Sequence, residues 1–254
     1  MMPCGAVGAG IRFEKNETKG RNMDTLRIFV GWDSREDIAF QVARRSLLRH
    51  ATVPVEVIAI KLADLVANGL YTRPVDPLAS TEFTYSRFLT PHLAGFSGWA
   101  LFVDCDFLFF GDVAKLEQYM DPSHAVACVH HDYTPKETTK MDGMIQSSYP
   151  RKNWSSFMLF NCAHPSTRQL TVERVNTESG AYLHRMQWAA DDEIGEIPQS
   201  WNWLEGWCEK PESGKPDAVH YTRGGPWFDA WQDVDYAAEW RAEAEACRAE
   251  GLAI

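Results

Sequence analysis

The residues best equipped for chemistry lie between Phe102 and Asp112, in the run FVDCDFLFFGD. An apolar stretch ends at Asp104 and Asp106, with Cys105 between them. On an extended chain residues i and i+2 point the same way, so both carboxylates can reach one ion. Carboxylates with open coordination positions suit a hard divalent cation, Mg²⁺ or Mn²⁺, shared with a diphosphate. The plainer interpretation is a solvated strand end with two surface aspartates. Apolar residues on both flanks argue against it.

Such a pair needs elements to present it. Leu26 to Val30 reads as a first strand ending at Gly31, and Asp33 or Ser34 can cap a helix whose stripe of Ile38, Val42 and Leu47 runs to His50. Val55 to Ile60 is a second strand, and Lys61 to Ser80, with Pro74 and Pro77, reads mostly as loop. Phe83 to Leu93 reads as helix despite Pro91, and Trp99 to Val103 as a strand apolar on both faces. This alternation predicts an open α/β sheet with parallel strands. Ligands in such sheets sit at the carboxyl ends of strands, where Asp104 and Asp106 fall. Ala125 to Val129 and Phe157 to Phe160 are further strands, and Pro165 to Thr177 is a helix. Gln199 to Pro226 reads as ordered loop over a site, and Tyr236 to Gly251 as a terminal helix.

The 254 residues carry 25 Lys+Arg against 35 Asp+Glu, a net charge of −10, so the clustered cations that nucleic-acid binding needs are missing. Cysteines at 4, 105, 128, 162, 208 and 247 form no CxxC pair. That excludes the usual structural zinc motifs and suits a reducing, cytoplasmic location. The stretch around Trp99 to Phe110 is interrupted by Asp104 and Asp106, and no transmembrane segment is expected. Residues 1–22 are small, polar and aperiodic, and read as a disordered extension ahead of one domain over 23–254.

The run WALFVDCDFLFFGDVAKL resembles the DxD segment of GT-A glycosyltransferases, most closely glycosyltransferase family 8 and its bacterial relatives. IFVGWDSRED resembles that family's first strand and nucleotide-binding loop, TYSRF its helix before the DxD, and HYTRGGPW its C-terminal His-Gly-Trp motif. The resemblance spans residues 26 to about 228 and implies a Rossmann-like GT-A domain with a mixed central sheet. It implies a metal-dependent transferase moving a sugar from a nucleotide-sugar, UDP-linked, to a glycan, lipid-linked or protein acceptor, with retention. Asp104, Asp106 and His220 would hold the metal. A neutral imidazole beside two carboxylates is chemically sensible for Mn²⁺, although a lone histidine is more often simply hydrogen-bonded.

For the donor, the resemblance points to Gly31, Asp33, Arg35 and Arg87, and to Asn153, Ser155 and Ser156. Asp33 can equally be a helix cap, and Arg87 a structural ion pair. Gly224 and Gly225 let backbone amides approach an anion. Where the family carries a lysine before Pro-Trp, this chain has Gly225, with the spacing from His220 one residue short, and Arg223 is the nearby substitute. The acidic motif is also altered. Asp191 and Asp192 stand near its place without the family's Gln, and take the role at the anomeric carbon; an acidic surface turn is the competing reading. Trp188, Trp201, Trp203, Trp207 and Trp227 could line an acceptor pocket or pack as core.

Two other functions compete. A haloacid dehalogenase-type phosphatase also uses Asp-x-Asp, but near the start of its fold and with Thr or Val two residues after the second aspartate, where this chain has Leu108. A non-catalytic nucleotide-sugar-binding protein of the GT-A fold would account for the altered acidic motif.

Overall fold

The computed structural model describes residues 25–77, 79–132, 151–212 and 214–251. The expected 1–22 extension, and most of the 136–152 loop, lie outside the described residues. Among the described residues nine strands occur in chain order: β1 (Leu26–Gly31), β2 (Val55–Ile60), β3 (Trp99–Val103), β4 (Phe107–Phe109), β5 (Val126–Cys128), β6 (Phe157–Asn161), β7 (Ile194–Glu196), β8 (Trp203–Leu204) and β9 (Ala218–His220). The helices are α1 (Asp37–His50), α2 (Leu62–Ala67), α3 (Thr90–Leu93), α4 (Val172–Thr177), α5 (Gly180–His184) and α6 (Ala237–Ala249).

The main sheet has the order β2-β1-β3-β6-β5-β7. β1 runs parallel to β2 and β3, and β5 parallel to β7, while β6 is antiparallel to both neighbours. The all-parallel expectation from periodicity is corrected here to the mixed sheet that the resemblance implied. Hydrophobic alternation cannot report direction, because a strand buried on both faces reads the same either way. β3 and β6 are that kind of strand: Ala100 to Val103 and Phe157 to Phe160 are all buried. Val103 faces Phe157 across the ladder, so β6 begins where β3 ends.

The second sheet, β4-β9-β8, is small and pairs Phe107 with His220. It packs against α1, whose buried Ser46 hydroxyl donates to the Ala43 carbonyl and accepts from the Phe109 amide at 3.1 Å. α6 is held to α1 by ion pairs from Arg45 and Arg49 to the buried Glu243.

β2, β3 and the end of α1 match their expected bounds. Several other expectations are revised. α2 stands inside the stretch read as loop, because Pro74 and Pro77 act only on its second half. Residues 83–93 split into a 3₁₀ turn, Ser86–Leu89, and α3, with Pro91 opening the second turn rather than sitting inside one helix. Residues 165–177 are likewise divided, since the Thr171 side chain accepts from the Arg174 amide and starts α4 afresh. β8 and β9 occupy the region read as ordered loop.

Below the sheet end, α5 presents His184, whose Nδ1 lies 2.8 Å from Ser155 Oγ and whose ring meets Phe88 edge-on. Burial, helped by the Arg87 guanidinium, pushes the imidazole down to about 3. An unfolded histidine titrates near about 6.5, so between these values the unfolded chain binds a proton that the folded chain refuses. Stability therefore declines as pH falls through that window. In His184→Gln, which keeps a partner for Ser155, the slope of unfolding free energy against pH should flatten by about one proton. An unchanged slope would show that this ring is not the titrating group.

Candidate active site

The strand β3 delivers Asp104 and Asp106 to the carboxyl edge of the sheet. The turn is locked on both sides: the Asp104 amide donates to Ser156 O at 3.0 Å, and the Tyr221 amide to Asp106 O at 3.0 Å. β4 then pairs with β9, bringing His220 beside the aspartates, and the Phe107 ring stacks on its imidazole at 4.4 Å. Ligand atoms of Asp104, Asp106 and His220 all lie within 4.8 Å of one another. His220 Nε2 stands 3.3 Å from Asp106 Oδ1. Neighbouring donors on an octahedral ion of Mg²⁺ size sit about 3 Å apart, close to the His220–Asp106 separation, and two carboxylates with one imidazole are donor types that a divalent ion takes. An imidazole nitrogen facing a carboxylate at this distance also needs positive charge between them, from a proton or a metal.

Arg87 is almost fully buried. It donates to Asp104 Oδ1 at 2.8 Å and to Ser155 O at 2.9 Å, with Phe83 and Phe102 against its guanidinium. It thus orients a metal-site carboxylate from beneath, the structural ion pair that the sequence left open. Asp33 is fully buried and does not cap α1. Glu36 precedes that helix with no side-chain cap, and Asp33 instead grips Arg35 through two bonds of 2.8 and 2.9 Å and accepts from the Glu82 amide. Burial pushes its carboxyl up, but these hydrogen bonds outweigh that and hold it below the ordinary range.

A cleft beside the aspartates is lined by Arg35, Glu36, His220, Thr222, Arg223 and Trp227, among others. Arg223 is held by Glu205 at 2.9 Å and lies over the Trp231 ring at 4.9 Å. Gly224 lines the cleft, with φ 132°. Gly31 and Gly225 are needed for packing: a Cβ on Gly31 would meet the Phe83 ring at 2.4 Å, and one on Gly225 the Trp227 ring at 1.9 Å.

Asn153, in the left-handed region at φ 64°, and the buried Ser155 and Ser156 stand at the start of β6, behind Asp104 and outside the lining of the cleft. The serine hydroxyls turn inward, to His184 and to Asn153 O. Asn153 Nδ2 is buried and has no hydrogen-bond partner among the described residues. Of the tryptophans in the C-terminal part, Trp188, Trp201 and Trp203 are core, while Trp227 reaches the cleft.

Asp191 and Asp192 are not brought to this cleft. They immediately precede β7, which runs parallel to β5 with Ile194 level with Val126. They therefore leave the sheet at the edge opposite to Asp104, and Asp191 is 91% exposed in an ion pair with Arg151. The acidic surface turn is the reading that this geometry matches.

Four residues of the site were missed in the sequence. Glu36 faces Asp106 and the Cys105 thiol, and burial, followed by the charges of Asp106 and Asp33, pushes its carboxyl up to about 8. His131 follows β5; burial, with neighbouring His220, pushes its imidazole down to about 3. Asn202 contacts His220, and Glu205 carries Arg223. Glu36 had a visible signal, an acid within three residues of Asp33. The others follow only from strand pairing. A groove of about 460 Å³ at the amino ends of β1 and β3 gathers no comparable set of side chains.

Protein CDI of Arabidopsis thaliana is 56% identical over 223 residues, 87% of this chain and 86% of that protein. No protein-family model matches the chain. Among solved structures, the galactosyltransferase LgtC, in complex with donor and acceptor sugar analogues, matches at a TM-score of 0.57 with 11% identity, over 87% of this chain and 96% of LgtC. The glycosyltransferase GlyE of Streptococcus pneumoniae TIGR4 matches at 0.56 with 13% identity over 87% of this chain, and the bifunctional WbbM glycosyltransferase at 0.55 with 16% over 89%. The chain spans 60% of the GlyE chain and 50% of the WbbM chain. The fold is the GT-A fold, with its mixed central sheet. A haloacid dehalogenase-type phosphatase is thereby excluded, since Asp104 ends the third strand of a different architecture.

Breaking a buried ion pair from one side strands the other charge, at a cost of about 3–5 kcal/mol. Arg87→Met should lower the urea-unfolding free energy by about 3 kcal/mol in EDTA. Added Mn²⁺ should restore part of the loss, because a cation at Asp104 replaces the missing one. An unaltered midpoint in EDTA would mean that Asp104 does not depend on Arg87.

Proposed function

The chain belongs to the same family as Protein CDI of Arabidopsis thaliana, and from that footing we propose that it is a metal-dependent glycosyltransferase using a nucleotide-sugar donor. The observation that carries the reading is the convergence of Asp104 and Asp106, from the end of β3, with His220, from β9, on one point of a GT-A sheet. Mn²⁺ or Mg²⁺ held there supplies Lewis-acid neutralisation of the charge that builds on the leaving diphosphate.

The chain's own groups do the rest. Arg87 fixes the rotamer of Asp104. Arg35, held by Asp33, and Arg223, held by Glu205, set two cations along the cleft at positions suited to phosphate oxygens. Both are pre-oriented by buried carboxylates, so less side-chain freedom is lost on binding. A UDP-linked donor, transfer with retention, and a glycan, lipid-linked or protein acceptor follow the resemblance to family 8. Among the described residues no helix is long and apolar enough to cross a membrane.

A second reading, a nucleotide-sugar-binding protein without turnover, is favoured by one observation: Asp191 and Asp192 stand away from the cleft. One experiment separates the two. A panel of nucleotide-sugars with Mn²⁺ should release free nucleotide from one donor. EDTA should abolish release, and Asp106→Ala should lower it more than about 100-fold, since even groups behind metal ligands shift affinity 10–100-fold. Binding of UDP with Mn²⁺ by calorimetry, without release from any donor, would favour the binding protein. Neither binding nor release would refute both.

A further inference from the structure

Asn202 is fully buried behind His220, with His131 also hydrogen-bonded to its side chain, and its contacts with Ser156 and His220 fix which way the amide faces. The Ser156 hydroxyl donates its single proton to Asn153 O at 2.7 Å. Toward Asn202, 2.9 Å away, Ser156 Oγ can therefore only accept, so the Asn202 atom facing it is the amide nitrogen Nδ2. The same nitrogen also reaches Asn153 O at 3.4 Å, a second acceptor. The carbonyl Oδ1 must then be the atom facing His220 Nδ1 at 2.9 Å. A carbonyl oxygen donates nothing, so a bare Nδ1 would set two lone pairs against each other in a site without water access. Nδ1 carries the proton, and in the neutral ring Nε2 is bare. The stacked Phe107 ring holds the imidazole plane, and Nε2 points at Asp106.

We propose that Asn202 is a positioning residue that fixes the metal-site histidine as its Nδ1-protonated tautomer, leaving the Nε2 lone pair for a divalent cation between Asp104 and Asp106. The proposal deepens the function given above and rests on its metal site. The order in which hydroxyl, amide and imidazole hand on their hydrogen bonds runs from the backbone of Asn153 to the metal face of His220. The buried hydrogen-bond chain behind the cleft thereby sets the electronic state of its third ligand.

The test uses protein saturated with Mg²⁺, which supplies the positive charge between Nε2 and Asp106, with ¹⁵N-labelled histidine, and identifies the His220 signals by their loss in His220→Gln. Wild type should show the Nδ1–H tautomer. Asn202→Leu should give a mixture of tautomers, and its Mn²⁺ dissociation constant, measured by calorimetry, should rise about 10- to 100-fold. Asn202→Asp keeps an acceptor at the same place and should keep the tautomer, whereas a purely space-filling role would make the two variants behave alike. An Nε2–H tautomer in wild type overturns the proposal whether or not any variant folds. So does Asn202→Leu with both tautomer and affinity unchanged. An Nδ1–H tautomer in a wild-type protein that binds no Mn²⁺ upholds the assignment of Asn202 and refutes the metal site itself.

Discussion

The pairing of Phe107 with His220 is the constraint on which the site depends. β3 can carry two aspartates to the sheet edge by itself, but the histidine that completes the cluster comes from the far end of the domain. Three rungs between β4 and β9 close that distance. Such long-range closure costs chain entropy that grows only slowly with the length enclosed, so a short ladder can hold it if the ladder is buried. It is: Phe107, Leu108, Phe109, Ala218, Val219 and His220 are all nearly inaccessible. The ring stacking of Phe107 on His220 adds a second restraint at the point where geometry matters.

Around that ladder the charges follow one logic. Asp33, Glu36, Asp104 and Asp106 gather near the carboxyl ends of β1 and β3, and each of the three aspartates meets a nitrogen partner: Arg35, Arg87 and His220. Glu36 is the exception. Buried next to like charges, it relieves the repulsion by holding its proton. The cleft is thus acidic at its base and cationic along its wall, at Arg35 and Arg223. That polarity suits a cation below and an anionic diphosphate above it.

Much of this was legible in the residues. The Asp-x-Asp after an apolar run, the strands on either side, α1, and the histidine before a glycine-rich turn were readable because each is a local pattern of hydrophobicity or residue type. Direction was not: nothing in FMLF says that β6 runs against β3. β4 was hidden for a related reason, since FLFF looks like a continuation of the aspartate segment rather than a strand of another sheet. Asp191 and Asp192 were misplaced because their position depends on β7 following immediately and running parallel to β5, which no spacing reveals. Asn202, His131 and Glu205 are polar residues whose importance comes from what folds against them.

The Ser46 hydroxyl has a bearing beyond the interior. β4 is an edge of the small sheet, and its outward Phe109 amide is a group through which a strand of another molecule could extend the ladder. Ser46 accepts from that amide, and α1 covers the edge. The strand that carries the site's closing ladder is therefore shielded from edge-to-edge association. A hydroxyl in the middle of a helix, otherwise a poor choice for helix stability, here guards the protein against self-assembly at the point where such pairing would pull β4 away from His220.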